Sequence, residues 1–508
     1  MGVIQRQAAK ASIVRYIGVV IGMVSTIFIY PFELELYGLF QFLIPTAAFL
    51  VPLGTLGFSA SMLRYFPLFN NAEKEHHGML GLLFLISIFG ILVITGLLFL
   101  FSPFIYEQFQ DKSPLLLDYM PVILVLFPIM VLSEILAKYA LLYHRLTVPN
   151  ITELFIKIVL PLAIIAYIND WITIKGAMFL LIGNFLVRLL VLSWYVHKVL
   201  GGFFIKIDWA FLKTQWKKKK PVEEKVGQIN LHLRESIEHA LYAILYLIGA
   251  TISTRIDAFM VTSYLGLTFN GIYTIAFVLA AIITIPMHML NNISAPIIAD
   301  LSAKGNNKKI EELYKKGSIN LFLIGLFILS LIWGNVGILF EIHPKGPEIE
   351  PGKYVILALG LGYIFDMLTS FSTIIISYSK LFRYNLIILL FTAIANIILN
   401  IIFIPKWGLL GAAIATSLSL FFIKLIRVII VWRAFKIHPF SKETVFALIL
   451  CLSIYFLSFY LIYFNSVYIN FFVQSIIFTL LFGGLILKLE LSEDINKMVR
   501  DTFAKFRK

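Results

Sequence analysis

The chain has 508 residues, of which 60% are hydrophobic and 14% charged, with a formal net charge of +14. A water-soluble core has no use for so much apolar side chain, so the composition excludes a soluble enzyme or a string of soluble domains. The positive excess lies in short loops between apolar runs, which makes it an orientation signal rather than a nucleic-acid footprint. The single cysteine, Cys451, sits inside an apolar run, so no intrachain disulfide, CxxC zinc site or cluster ligation is available.

A bilayer core about 30 Å thick takes roughly 20 apolar residues per helix. In chain order the apolar runs predict spans at 12–30, 36–58, 79–102, 117–142, 150–168, 176–199, 237–263, 270–290, 317–340, 353–378, 384–404, 408–433, 443–464 and 467–488. The expected fold is therefore all-α: a polytopic membrane protein with about 14 transmembrane helices. Arg6, Lys10 and Arg15 precede the first run and no Ala-x-Ala type of cleavage site follows it, which predicts a retained span rather than a signal peptide.

Loop charges test the count, because one missed span would invert the bias of every later loop. With the N-terminus inside, the outer loops carry only Lys112, Lys175, Lys345, Lys353 and Lys406. The inner loops carry Arg64, Lys74, Arg145, the run Lys217 to Lys220, Lys304, Lys308, Lys309, Lys380, Arg383, Arg433 and Lys436. The sign never breaks, so both termini are expected in the cytoplasm. Next to anionic headgroups, the basic inner linker reads as a membrane-surface segment.

Two halves of the chain carry matching landmarks. Tyr37-Gly38 answers Asn270-Gly271 at an offset of 233, and Pro52 answers Pro286 at 234. Tyr143 and Arg145 answer Tyr378 and Lys380, and Gly176-Ala177 answers Gly411-Ala412, both at 235. Six spans per half give both copies the same orientation, a parallel repeat of the kind that encloses a cavity and supports alternating access. The expected organisation is a six-helix lobe over 1–200, a basic cytoplasmic linker over 201–235, a second six-helix lobe over 236–435, an extra helix pair over 436–490 and a cytoplasmic tail over 491–508.

Ionisable residues within spans cost about 2.5–3.5 kcal/mol each on insertion scales, so each requires a partner, water or a function. The candidates are Lys157, Arg188, Arg255, Asp257, Asp366, Lys424 and Arg427. Glu153 and Lys157, four apart, can neutralise each other on one helix face. Lys424 and Arg427 share a face and can snorkel to headgroups. Arg255 and Asp257, two apart, point to opposite sides of their helix. The surplus is cationic: Arg188, Arg255, Lys157, Lys424 and Arg427 suit an anionic headgroup, since a guanidinium grips phosphate bidentately. Asp257 and Asp366 fit either charge pairing or a Na⁺ or H⁺ coupling site. Gly18 and Gly22 form a GxxxG spacing that predicts close helix packing. A GxxxxGK[ST] loop and an HExxH pair are both missing from the sequence, no metal or other cofactor is implied, and the short outer loops argue against an enzyme.

Several weak motifs occur in a telling order: Tyr37 to Gln41, Leu56-Gly57-Phe58 and Arg64; Arg255-Ile256-Asp257, Leu265-Gly266 and Gly271-Ile272-Tyr273; Asn396 to Asn400, Pro405, Gly408 and Gly411 to Thr416. With these, the chain resembles the polysaccharide exporters and O-antigen or capsule repeat-unit flippases of the multidrug/oligosaccharidyl-lipid/polysaccharide exporter superfamily, over residues 5 to 435. The resemblance implies two six-helix lobes moving a polyprenyl-pyrophosphate-linked oligosaccharide across the cytoplasmic (inner) membrane, beside other polysaccharide-assembly proteins. Lipid II flippases share the plan. The drug/cation antiporters are the further alternative, against which the extra helix pair and the basic surplus argue.

Overall fold

A computed structural model of the chain describes residues 3–71, 74–143, 145, 147–199, 202–203, 205–217 and 233–506. Of the basic linker expected over 201–235, residues 218–232, with most of the Lys217 to Lys220 run, lie outside the described residues. Every regular element described is helical, as it must be where no water is present to satisfy an open backbone.

The helices are α1 (Val3–Phe28), α2 (Leu34–Gly54), α3 (Phe58–Phe69), α4 (Met79–Phe109), α5 (Pro114–Tyr119), α6 (Pro121–Leu142), α7 (Thr147–Ile168), α8 (Ile174–Val199), α9 (Trp209–Lys217) and α10 (Leu233–Leu265). They continue with α11 (Leu267–Ala281), α12 (Ile285–Ala303), α13 (Asn307–Ile342), α14 (Gly346–Ile349), α15 (Lys353–Thr369), α16 (Phe371–Ser377), α17 (Tyr384–Phe435), α18 (Lys442–Phe456), α19 (Val467–Lys488) and α20 (Glu493–Phe506). Among the described residues thirteen segments are long and apolar enough to cross a bilayer. One of them, the 52-residue α17, is broken at Gly408, whose φ of 58° and ψ of −132° are non-helical. Beyond that break a Cβ on Gly411 would lie 2.1 Å from the Phe403 carbonyl, and Asn396 bonds Thr416 at 3.4 Å, so α17 is two antiparallel arms. The thirteen segments therefore hold fourteen passages, as the hydropathy predicts.

The chain forms two compact units, Met1–Gly271 and Ile272–Lys508. In the first, α2 packs on α6, α6 on α8, and α7 on α1 and α8, while α10 lies along α2 and α3. The α2–α3 break follows Pro52: Leu56 and Gly57 take φ of 47° and 71°, and the Thr55 hydroxyl donates to the Pro52 carbonyl at 3.2 Å. A side chain at Gly57 would strike the Ala240 carbonyl of α10, 2.2 Å from its Cβ. The starts of α2 and α11 cross just as closely. A Cβ on Gly38 would lie 2.0 Å from the Leu267 carbonyl, one on Gly271 would lie 2.3 Å from that of Leu34, and the buried Asn270 amide donates to the Gly38 carbonyl at 3.0 Å. These are the very glycines that the repeat register equates. The GxxxG expectation fares less well. Gly18 gives room to Lys157, 3.1 Å from its built Cβ, but Gly22 has nothing within 4 Å, so only one of the two glycines serves packing.

In the second unit α15 packs against α13 and α17. The last two long helices, α18 and α19, pack on α13. Gly334 receives the Phe459 ring, Asn335 bonds Ser475 at 2.9 Å, and Phe327 stacks on Phe478 and Phe482.

One polar clamp in the first unit ties the segment after α8 back to the start of α4. Asp208 caps α9, accepting from the Phe211 N–H at 2.9 Å, and its other oxygen meets His77 Nδ1 at 2.9 Å. The His77 ring stacks on Phe211 with centroids 3.7 Å apart, and the backbone at Lys206 and Ile205 runs against Gly78 and Gly81. The Phe211 amide first, and His77 second, hold the Asp208 carboxyl below the usual carboxylate range.

Two expectations follow. Gly38→Ala lowers thermal stability by about 1–3 kcal/mol through overpacking, whereas Gly96→Ala, with nothing within 4 Å, leaves the melting temperature unchanged or higher. Because the folded pKa of Asp208 is depressed, its contribution is complete above the unfolded value of about 3.9 and is lost as pH falls through the folded one. Hydrogen exchange of the α9 amides, corrected for intrinsic rate, should accelerate at pH 7 in Asp208→Ala and in the parent only below about pH 4; equal rates in variant and parent at pH 7 would discount the clamp.

Candidate functional site

The charged residues singled out in the spans fall into three places, two in the first unit and one in the second. On α8 and α7, the Arg188 guanidinium meets the Glu153 carboxylate at 3.4 Å. Lys157 lies one turn from Glu153 and against Gly18 of α1. The sequence reading gave Glu153 to Lys157 and left Arg188 without an acid. The structure brings Glu153 to Arg188 as well, because the acid comes from a neighbouring helix that spacing along one helix does not reveal.

In the second unit, the Lys424 ammonium forms an ion pair with Asp366 across α17 and α15. The Thr373 hydroxyl of α16 sits between the cations, 3.4 Å from Lys424 Nζ and 3.0 Å from Arg427 Nη1. Lys424 and Arg427 are each 8% exposed, so they do not snorkel outward. The physical reason is the carboxylate: desolvating a cation costs several kcal/mol, and a partner within contact offsets it. Asp366 is thereby a charge-pairing residue in this structure. Thr373, which bridges the two cations, has no sequence signal, since it lies 51 and 54 residues before them.

Arg255 stands apart from both clusters. It lines a cavity of about 550 Å³ formed by α2, α4, α6 and α10 within the first unit. Asp257, two residues on, is 2% exposed and turned to the other side, as the spacing predicts. Phe42 and Phe259 make one corner of the site, backed by the buried Phe109, with ring centroids 5.3–5.4 Å apart in edge-on and stacked pairs. Three of the lining hydroxyls bond back to their own helices. Thr46 donates to the Phe42 carbonyl, Ser102 to that of Phe99 and Thr251 to that of Leu247. What remains is an apolar hollow in which Arg255 carries the one formal charge among the lining residues. Sequence alone marks Arg255 but not the hollow, whose walls come from helices more than 100 residues apart.

Comparisons with known proteins match the chain to two families. The polysaccharide biosynthesis protein family matches residues 10–302, more than half of the chain, and the MatE family matches residues 243–402. A probable low-salt glycan biosynthesis flippase, Agl15 of Haloferax volcanii, is 24% identical over 231 residues. That match covers 44% of this chain and 46% of the relative, so the chain spans about half the length of the curated relative it matches. Among solved structures, the lipid II flippase MurJ in an inward closed conformation superposes with a TM-score of 0.65 at 15% identity, over 93% of this chain and 96% of that one. An inward-facing multidrug resistance MATE family transporter of the MOP superfamily gives 0.62, also at 15% identity, over 82% and 94%. At such identity these two show a shared fold. The chain belongs to the polysaccharide biosynthesis protein family and has the fold of the multidrug/oligosaccharidyl-lipid/polysaccharide exporter superfamily.

Proposed function

We propose that this protein is a flippase that moves a polyprenyl-pyrophosphate-linked oligosaccharide across the cytoplasmic membrane, with both termini in the cytoplasm. The observation that carries this reading is the cavity of α2, α4, α6 and α10: about 550 Å³ of apolar wall with Arg255 as its charge. A guanidinium in a largely apolar chamber suits a phosphorylated lipid, whose chain replaces lipid contacts while its phosphate takes charge-assisted hydrogen bonds. A drug cation would meet the like charge of Arg255 there. The family match to polysaccharide biosynthesis and the Agl15 relative favour a glycan on that phosphate. The halves over 1–200 and 236–435 would alternate access, with the basic linker over 201–235 as hinge and the pair over 436–490 as appendage.

Cation-coupled multidrug antiport is the competing class, and the pairing of Asp366 speaks against it. A carboxylate already engaged by Lys424 has a resident ammonium where a coupling Na⁺ or H⁺ would bind. A lipid II flippase would use the same phosphorylated-isoprenoid chemistry, so the substrate's glycan is the distinguishing part.

Two measurements check this. In proteoliposomes, transbilayer movement of a polyprenyl-pyrophosphate oligosaccharide should fall about tenfold or more in Arg255→Ala, the loss of one hydrogen-bonded charge, and partly recover in Arg255→Lys. Transport of lipid II but not the oligosaccharide lipid would shift the substrate; an unaffected Arg255→Ala would remove the headgroup role. Asp366→Ala should destabilise the protein by roughly 3–5 kcal/mol, the cost of orphaning a buried cation, and Lys424→Met in the same chain should restore most of the melting temperature.

A further inference from the structure

At the end of the first unit away from the basic loops, the α7–α8 turn and the end of α5 enclose an open hollow of about 600 Å³. Its walls include Tyr119, Tyr167, Asp170, Trp171, Thr173 and Lys175. The turn itself is closed on its own backbone. Asp170 takes a φ of 57° and donates its N–H to the Tyr167 carbonyl at 3.0 Å, while the Trp171 N–H reaches Ala166 at 2.9 Å. The Thr173 hydroxyl accepts from the Gly176 N–H at 3.3 Å and so caps the start of α8. With backbone groups satisfied inside the turn, the side chains are what the hollow presents. Trp171 is 75% exposed, far more than a ring buried for packing.

A Trp or Tyr at a membrane surface normally anchors the chain in the headgroup region. That role needs an amphipathic ring, but it does not need a carboxylate, an ammonium and two phenols around one concave face. A pyranose does match that set. Its C–H face is weakly positive and apolar and stacks on the negative face of an indole, and its rim of hydroxyls both donates and accepts. Carboxylate and phenol oxygens accept, and the ammonium and phenol hydroxyls donate.

We propose that this hollow is a saccharide subsite on the exit side of the membrane, where Trp171 stacks on a sugar ring and Asp170, Lys175 and the two tyrosines bond its hydroxyls. The assignment of the exit side rests on the flippase reading; the binding chemistry does not. A subsite of this kind would receive the glycan as it leaves and oppose its return.

The test is calorimetric titration of the purified full chain in nanodiscs with soluble trisaccharides, maltotriose, chitotriose and a rhamnose-containing trisaccharide. Saturable binding of at least one is expected, weakened at least about tenfold in Trp171→Leu and largely kept in Trp171→Phe, with unchanged melting temperatures. Absence of binding across the three sugars, or equal affinity in Trp171→Leu, overturns the subsite and shows the ring to be a headgroup anchor. Equilibrium binding is read without transport. A negative titration beside a positive transbilayer assay therefore removes only this subsite, and the reverse removes only the flippase reading.

Discussion

Helices in lipid gain no hydrophobic free energy by touching, since tails are as apolar as leucine, so they are held by close van der Waals contact at small residues. In this protein the start of α2 meets the start of α11 by such a contact. There Gly38 and Gly271 let two backbones approach until one added carbon would sit 2.0–2.3 Å from a carbonyl oxygen. Asn270 supplies the hydrogen bond that fixes the crossing in rotation. The same device recurs where Gly57 lies under α10 and where Gly90 of α4 lies 2.2 Å, by its built Cβ, from the Gly54 carbonyl of α2. Contacts of α2 with α4, α6, α10 and the start of α11 thus set the walls of the cavity beside Arg255.

Charge is handled by a second rule. Two of the cations within the spans are answered by acids from adjacent helices, Arg188 by Glu153 and Lys424 by Asp366. These pairs are weak evidence of net stability, but breaking one leaves an orphan charge, which makes them strong determinants of which helices stay together. Arg255 differs in its setting, an open cavity instead of a packed helix face.

Outside the bilayer the same chain uses conventional means. Asp208 caps a short helix and clamps it to His77, and salt bridges such as Lys316 with Glu312 and Glu493 hold α20 to the start of α13. Exposed pairs of this type contribute little each. Their consequence is positional: they dock peripheral helices whose apolar faces are too small to hold them.

Fourteen passages and an all-helical fold were legible in the sequence, because hydropathy and loop charge answer to the bilayer, a solvent whose geometry is known beforehand. The opposite facing of Arg255 and Asp257 was legible too, since it needs only the helical period. What lay beyond the sequence was every partnership between helices. Glu153 with Arg188, Asp366 with Lys424 and Thr373, and the four walls around Arg255 join positions separated by 35 to more than 100 residues, and nothing local encodes them. Helix-forming pattern is a property of neighbours along the chain, whereas ion pairs and cavities arise only when helices cross at particular angles. Composition therefore decided that this chain lives in a membrane, and the crossing of its helices decided which of its charges are spent on each other and which one lines a chamber.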